Sequence, residues 1–243
     1  MKSDFNKDIK PYLELLNKYG IQKEDLGRVL NRNIFFLRMP LDEIKQRIEY
    51  FIFRKFIKSQ IASILMKALN ILNLEIETLD FRLSTLMEEY RLTPSELRHV
   101  ISKYPRILEL DQTQIKKCSF MFLEEMGFNL EETKKILLEN PILWRKYYRF
   151  NSHEEMVKTF DYLHNTMGIS HQYILNDSKI LATRTKIISF RHEYLKMLNR
   201  SQYDPTKPLF VPLRAFYQMN DTEFCLDYAK TSLKDYHNFL RTI

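Results

Sequence analysis

Apolar residues fall three and four apart in short blocks along this chain, and the blocks themselves recur. A phrase built on Pro-x-Ile/Leu-Leu, or a degenerate form of it, returns about every 36 residues. Its clearest copies are Tyr104-Pro105-Arg106-Ile107-Leu108 and Asn140-Pro141-Ile142-Leu143-Trp144. Weaker copies are Asn33-Ile34-Phe35-Phe36-Leu37, Leu69-Asn70-Ile71-Leu72 and Ser178-Lys179-Ile180-Leu181. The anchors fall at 33, 69, 105, 141 and 178. Equal spacing predicts one supersecondary unit stacked many times. A stack offers an extended surface in place of a closed pocket, which favours binding over catalysis.

Each unit reads as a helix, a turn, a second helix and a short hook. In residues 112–147, Ile115, Ser119, Phe122, Leu123 and Met126 share one helical face. Gly127 then ends the helix, since glycine tolerates the left-handed position past a helix end. Asn129 is the expected N-cap, with Glu132 spaced to complete a capping box. Ile136 and Leu137 give the second helix its apolar face, and Pro141 stops it. Ile142, Leu143 and Trp144 are expected to fold back as an apolar hook. Gly20 and Gly168 mark equivalent turns, and Thr93-Pro94-Ser95-Glu96 and Ser152-His153-Glu154-Glu155 read as helix starts. The second and fifth units lack the hook proline, carrying Leu69 and Ser178, which leaves the hook geometry open there. After residue 198 the pattern gives way to Ser201–Pro208 and Val211-Pro212, rich in turn formers. The expectation is an all-α solenoid: five to six units over residues 1–198, closed by a helical cap of the same domain over 199–243.

Composition agrees. The chain has 243 residues, 44% hydrophobic and 28% charged, with four glycines, which suits folded helical material. No apolar run approaches membrane-spanning length, so no membrane insertion is expected. Cys118 and Cys225 stand far apart, which argues against a disulfide scaffold and a zinc site and fits a reducing compartment. The opening Met1-Lys2-Ser3-Asp4 has neither a signal peptide's apolar core nor the Arg-rich, acid-poor character of a transit peptide, so no import signal is expected within this stretch.

Catalytic chemistry finds little support. Four scattered glycines make no phosphate-cradling loop. Cys118, between Lys117 and Ser119, reads as packing on a helix face. His153-Glu154-Glu155 is followed by Val157, so it is not the zinc-protease pattern. His164 and His171 can approach across a turn, but no third ligand is apparent. The pairs Glu88-Glu89, Glu124-Glu125 and Glu131-Glu132 suit helix-dipole complementation. The expectation is a non-enzyme without cofactor or metal, with Trp144 and most other aromatics in the core.

Charge points to the partner. Net charge is +7 and the isoelectric point about 9.2, favouring an acidic ligand. Near the hooks lie Arg38, Lys67, Lys103, Arg106, Arg145, Lys146, Arg149, Lys179 and Arg184. About thirteen residues past each anchor lie Arg47, Arg82, Lys117 and Arg191, with Glu154 breaking the series. A single Lys or Arg is more often a solvated surface group, but recurrence at fixed phase suits phosphates that repeat along a nucleic acid. The candidate contacts are Arg38, Arg47, Arg82, Lys103, Arg106, Arg145, Lys146, Arg149, Lys179, Arg184 and Arg191. Within Arg145-Lys146-Tyr147-Tyr148-Arg149 the cations alternate with aromatics able to stack, or to pack on the core. No base-reading element is evident, so recognition by shape is expected.

The 36-residue unit, its Pro105-Arg106-Ile107-Leu108 and Pro141-Ile142-Leu143 hooks and its turns at Gly20, Gly127 and Gly168 resemble the mitochondrial transcription termination factor (mTERF) family. Tyr203–Pro208 and Phe160–Met167 make it most similar to that family's third type. The resemblance implies a left-handed superhelix shaped like a half-doughnut, with a basic concave face for a nucleic-acid duplex. It also implies a place in the mitochondrial matrix and a role in mitochondrial transcription. An alternative is binding of structured ribosomal RNA in assembly of the large mitochondrial ribosomal subunit. A further one is a protein-binding scaffold, which predicts an apolar ridge in place of a cationic one. The expected ligands are duplex DNA or structured ribosomal RNA, with a possible mitochondrial protein partner, and the chain is expected to be a monomer.

Overall fold

A computed structural model of the chain describes residues 9–146, 152–217 and 220–242, and every regular element among them is helical. The helices alternate as the repeat predicts: α1 (Lys10–Lys18), α2 (Lys23–Arg32), α3 (Leu41–Phe53), α4 (Lys58–Ala68), α5 (Ile76–Glu89), α6 (Pro94–Lys103), α7 (Gln112–Phe120), α8 (Leu130–Glu139), α9 (Ile142–Lys146), α10 (Ser152–Asp161), α11 (His171–Asn176) and α12 (Thr185–Met197). The short helices α13 (Arg214–Tyr217), α14 (Asp221–Phe224) and α15 (Leu233–Leu240) follow. Contacts divide the chain into two compact units, Met1–Ser119 with Leu137–Arg145, and Phe120–Ile136 with Lys146–Ile243.

One turn, used again and again, sets the angle between first and second helices. Gly20, Lys55, Arg91 and Asn199 have φ of 101°, 64°, 49° and 54°. Each N–H bonds back three residues, and the next residue's N–H bonds back five, as in Phe56 to Phe51 (3.0 Å) and Leu92 to Met87 (2.9 Å). These are Schellman turns. They bring the following apolar residue inward, so Ile21, Phe56 and Leu92 are buried. At Gly127 and Gly168 the first helix widens into a π turn, and the bond reaches back six residues, Phe128 to Phe122 (3.0 Å) and Ile169 to Leu163 (3.0 Å). Lys55 and Arg91 carry no sequence sign of left-handed backbone. Two backbone bonds and a buried neighbour outweigh their intrinsic preference.

The second helices start as their sequences direct. Thr93 with Glu96, and Asn129 with Glu132, form reciprocal capping boxes. The hooks Ile34–Arg38, Leu69–Asn73, Pro105–Glu109 and Ser178–Ala182 are single 3-10 turns. The residue before each hook leaves the helical region, with φ and ψ of −151° and 78° at Asn33, −153° and 58° at Ala68, −143° and 75° at Tyr104, and −135° and 53° at Asp177. Proline enforces this at Tyr104. Leu69 and Ser178 reach the same geometry without it because their hooks bury Ile71 with Leu72, and Ile180 with Leu181. In the fourth hook, α9, Leu143 and Trp144 are buried but Ile142 is exposed, so two of its three apolar residues fold inward.

The repeat also runs on past residue 198. Pro212-Leu213-Arg214-Ala215-Phe216 forms a further hook with Leu213 and Phe216 buried. A first helix follows at Asp221–Ala229, then a left-handed Lys230 (φ 57°), then α15, capped by Ser232. The segment expected as an atypical cap therefore carries the repeat's own parts within the second unit. His192 and Tyr203, both buried, share a 2.6 Å hydrogen bond there.

Several core polar groups are satisfied in specific ways. In the first unit the Trp144 indole N–H donates to the Tyr90 hydroxyl at 2.6 Å, with the two rings edge to face at 5.5 Å. Burial raises the Cys118 thiol well above its usual range, consistent with a packing role. In the second unit His171 stacks on Phe128 with ring centroids 5.0 Å apart.

Leu143→Ala should cost about 2–5 kcal/mol of unfolding free energy, read by urea denaturation, because Leu143 is fully buried in a hook. Burial lowers His192, and burial followed by the neighbouring His164 lowers His171, both from 6.5. Unfolding therefore takes up protons on acidification, so stability present above pH 6.5 is lost as pH falls below it. The urea midpoint should drop over that range, and His171→Phe should reduce the slope.

Candidate nucleic-acid interface

The two phases at which cations recur do different work. On first helices the series turns inward. Arg47 is 4% exposed; its Nε donates to the Leu74 carbonyl at 2.8 Å, and its terminal nitrogens meet Glu43 at 3.1 Å and Glu75 at 3.3 Å. Arg82 donates to the Leu108 carbonyl. Arg191, also 4% exposed, donates to the Ala215 carbonyl at 2.6 Å, pairs with Asp221 at 2.8 Å and lies 4.8 Å from the Phe224 ring centroid. In repeats without an arginine, the Cys118 thiol donates to the Trp144 carbonyl at 3.5 Å and the Thr159 hydroxyl to the Thr183 carbonyl at 3.1 Å. On α1 the Tyr12 hydroxyl donates to the Met39 carbonyl at 2.6 Å, so six first helices reach a carbonyl at or just past a hook, 24 to 27 residues on.

This corrects the expectation for Arg47 and Arg191. Their guanidinium groups are desolvated and spent on carbonyls and carboxylates that need them, so they cannot meet a phosphate without breaking the hook. Arg82 is half-buried and shares the same duty. The recurrence came from structure, because the same hook carbonyl needs a donor in each repeat.

The hook-phase cations remain nearer to solvent. In the first unit Arg38, at the end of its hook, and Lys103, in the last turn of α6, are exposed. Lys103 donates to the Leu138 carbonyl at 3.3 Å, and Lys67 to Ser102 and Lys103 carbonyls at 3.0 and 3.2 Å. Each lysine thus caps the C-terminus of the next repeat's second helix, where carbonyls are unpaired and the dipole is negative. Three hooks converge on one carboxylate, Glu109. It takes 2.8 Å from Arg145, 3.9 Å from Arg106 and a 2.9 Å hydrogen bond from Asn70. Arg106 also donates to the Lys67 carbonyl at 3.2 Å. The structure therefore brings Arg106 and Arg145 together, each about a quarter to a third exposed (34% and 24%) and held by a shared anion.

In the second unit Lys179, inside its hook, and Arg184, immediately before α12, are both exposed. Lys186, exposed in the first turn of α12, lies 5.2 Å from the Phe190 ring centroid. The spacing argument did not single out Lys186, nor Glu109 and Asn70; a search for acids at hook phase would have found Glu109. Of the patch Arg145–Arg149, only the Arg145 side chain is described: Lys146 ends α9 with its side chain outside the description, and Tyr147, Tyr148 and Arg149 lie outside the described residues.

Among the described residues, no cluster of three His, Cys, Asp or Glu side chains could hold a metal ion. His164 and His171 do approach, with ring centroids 4.7 Å apart, and the His164 Nδ1 bonds the Ile169 carbonyl at 2.9 Å. No described helix is long and apolar enough to cross a membrane. The chemistry on offer is thus a series of charge-assisted donors at successive hooks, able to hold phosphate oxygens and blind to base identity.

A family model described as mTERF matches residues 1–225. A Drosophila melanogaster protein named "Transcription termination factor 3, mitochondrial" is 30% identical over 242 residues, covering 100% of this chain and 67% of its own length. Proteins of the same name from Rattus norvegicus and Mus musculus are 31% and 32% identical over 243 residues. The chain spans 58% of the length of each mammalian relative.

Arg47→Met should cost about 1.5–3 kcal/mol of stability, because it strands the Leu74 carbonyl and loosens Glu43 and Glu75. Lys179→Ala, at an exposed hook position, should shift the thermal midpoint by less than about 0.5 kcal/mol equivalent. Calorimetry of both variants checks the division between the two phases.

Proposed function

The chain belongs to the mTERF family, and from that premise we propose that it is a mitochondrial nucleic-acid-binding protein that regulates mitochondrial transcription. The names of all three relatives carry both the compartment and the process, which supports each for this chain. The observation that carries the binding is the run of cations at hook phase: exposed Arg38 and Lys103 and the partly exposed Arg106–Arg145 pair in the first unit, and exposed Lys179 and Arg184 in the second. Lys146 and Arg149 join them on sequence grounds. Arg47 and Arg191 do not.

The ligand is duplex nucleic acid, tracked by its phosphates through a basic groove. Each phosphate neutralised releases condensed counterions, and this release drives binding. Cations, lysine or arginine, recur near successive hooks, which suits a backbone that repeats and reads no sequence. Sequence preference then comes from duplex shape or from a partner. The chemistry admits duplex DNA and A-form RNA alike, and transcription in the relatives' names favours DNA.

Fluorescence anisotropy with matched duplex DNA, duplex RNA and single strand, across a salt series, tests this. The expected result is preference for duplex DNA, with log K falling linearly in log salt. Changing Lys179 and Arg184 to Ala should reduce the salt slope by about 1 for each side chain replaced and leave the melting curve unchanged. Changing Arg145, Lys146 and Arg149 together to Ala should weaken binding without unfolding. No binding to any strand at low salt overturns the proposal, and preference for duplex RNA replaces its ligand.

A further inference from the structure

The turn between α3 and α4 breaks a habit that the other turns keep, and joins to it an unusual exposure of apolar side chains. Two residues past the left-handed position, the second helix begins on Gln22, Thr93, Asn129, Ser170 or Ser232, all polar. In this turn the same place holds Ile57, which is 63% exposed. Two residues before the left-handed position stand Lys18, Glu89, Glu125 and Thr166 in four turns, Met197 and the half-buried Tyr228 in two others; here stands Phe53, 75% exposed. Ile52, beside it, is exposed as well. The Schellman bonds of this turn fold Phe56 inward against Phe51, at 5.3 Å between ring centroids, and in doing so turn Phe53 and Ile57 outward.

An isoleucine offers no oxygen to the exposed N–H groups at the start of α4, so the fold gains nothing from it. A local rule broken without structural compensation is the signature of a functional surface. Next to these side chains is a cleft of about 180 Å³. Phe53, Phe56, Met87 and Leu97 give it apolar walls, and Lys55 and Arg98 give it a charged rim with no carboxylate in the lining. It is smaller than the roughly 300–1,000 Å³ usual for small-molecule sites. It suits one inserted apolar side chain. Lys58, exposed in the first turn of α4, adds a further cation beside Ile57.

We propose that this turn is a docking surface for an acidic amphipathic helix of a partner protein. One apolar side chain of that helix enters the cleft, its neighbours cover Phe53 and Ile57, and its flanking carboxylates meet Lys55, Lys58 and Arg98. Helix-in-groove docking of this kind combines an apolar anchor with a complementary charged border. The surface is separate from the hook cations, so the inference stands independently of nucleic-acid binding.

The test uses the full chain and a fluorescein-labelled helical peptide of about 18 residues, five turns, with Leu along one face and Glu on both flanks. A second peptide replaces every Glu with Lys. The Glu peptide should bind, and the Lys peptide should bind on the order of tenfold or more weakly. Phe53→Ser and Ile57→Thr should each weaken the Glu peptide on the order of tenfold. Ile57→Thr should also raise the melting temperature, because it supplies the missing cap, so weakened binding cannot be put down to unfolding. Duplex binding by both variants should match the parent, which separates this inference from the functional one. Three results overturn it: equal binding of the Glu peptide to the parent and to both variants, or binding to none of them; binding to anionic phospholipid vesicles that depends on Phe53 and Ile57, without peptide binding; and self-association by sedimentation that either substitution abolishes.

Discussion

The hook carbonyl is the constraint on which the repeat depends. A single turn of 3-10 helix, or a five-residue α-helix, leaves carbonyl groups unpaired as the chain turns back, and the apolar hook carries them away from water. In six repeats the first helix supplies the missing donor from 24 to 27 residues earlier. The donor is a guanidinium in Arg47, Arg82 and Arg191, a thiol in Cys118 and a hydroxyl in Tyr12 and Thr159. Geometry is kept while chemistry varies, because any donor of the right reach removes the cost of a buried, unpaired acceptor.

This requirement explains why charge at one phase is structural and charge at another is available. First-helix arginines face the hook and are neutralised locally, with Glu43 and Glu75 around Arg47 and Asp221 beside Arg191. Of the hook-phase cations, Lys67 and Lys103 sit at the ends of second helices, where the backbone itself is partly negative. Lys67 and Lys103 each use that field to tie one repeat to the next, and still keep their ammonium groups at the surface. Glu109 holds Arg106 and Arg145 side by side, which orients two donors that would otherwise repel and sweep freely.

The turns supply the other half of the architecture. Left-handed residues at 20, 55, 91, 127, 168, 199 and 230 stop each first helix and aim the next segment. Glycine fills three of these places. Lys55, Arg91, Asn199 and Lys230 fill the others at an intrinsic backbone cost that the surrounding bonds outweigh. Because the turn is so uniform, the apolar Phe53 and Ile57 stand out as departures in side chain alone, with the backbone unchanged.

Period, helix content, capping boxes and the inward hooks were legible in the sequence, because each follows from local spacing: apolar positions three and four apart, Thr93 three before Glu96, Pro105 after Tyr104. Family membership was legible for the same reason. The continuation past residue 198 was hidden because Pro212 lies among other turn formers, and its hook is recognisable only once Leu213 and Phe216 are seen to be buried. The site was half legible. Spacing along the chain locates every cation, and it cannot tell a cation facing solvent from one facing a carbonyl. Arg47 and Lys103 look alike as letters at fixed phases. What separates them is the direction of the side chain relative to a backbone group a repeat away, and that is a property of packing in three dimensions.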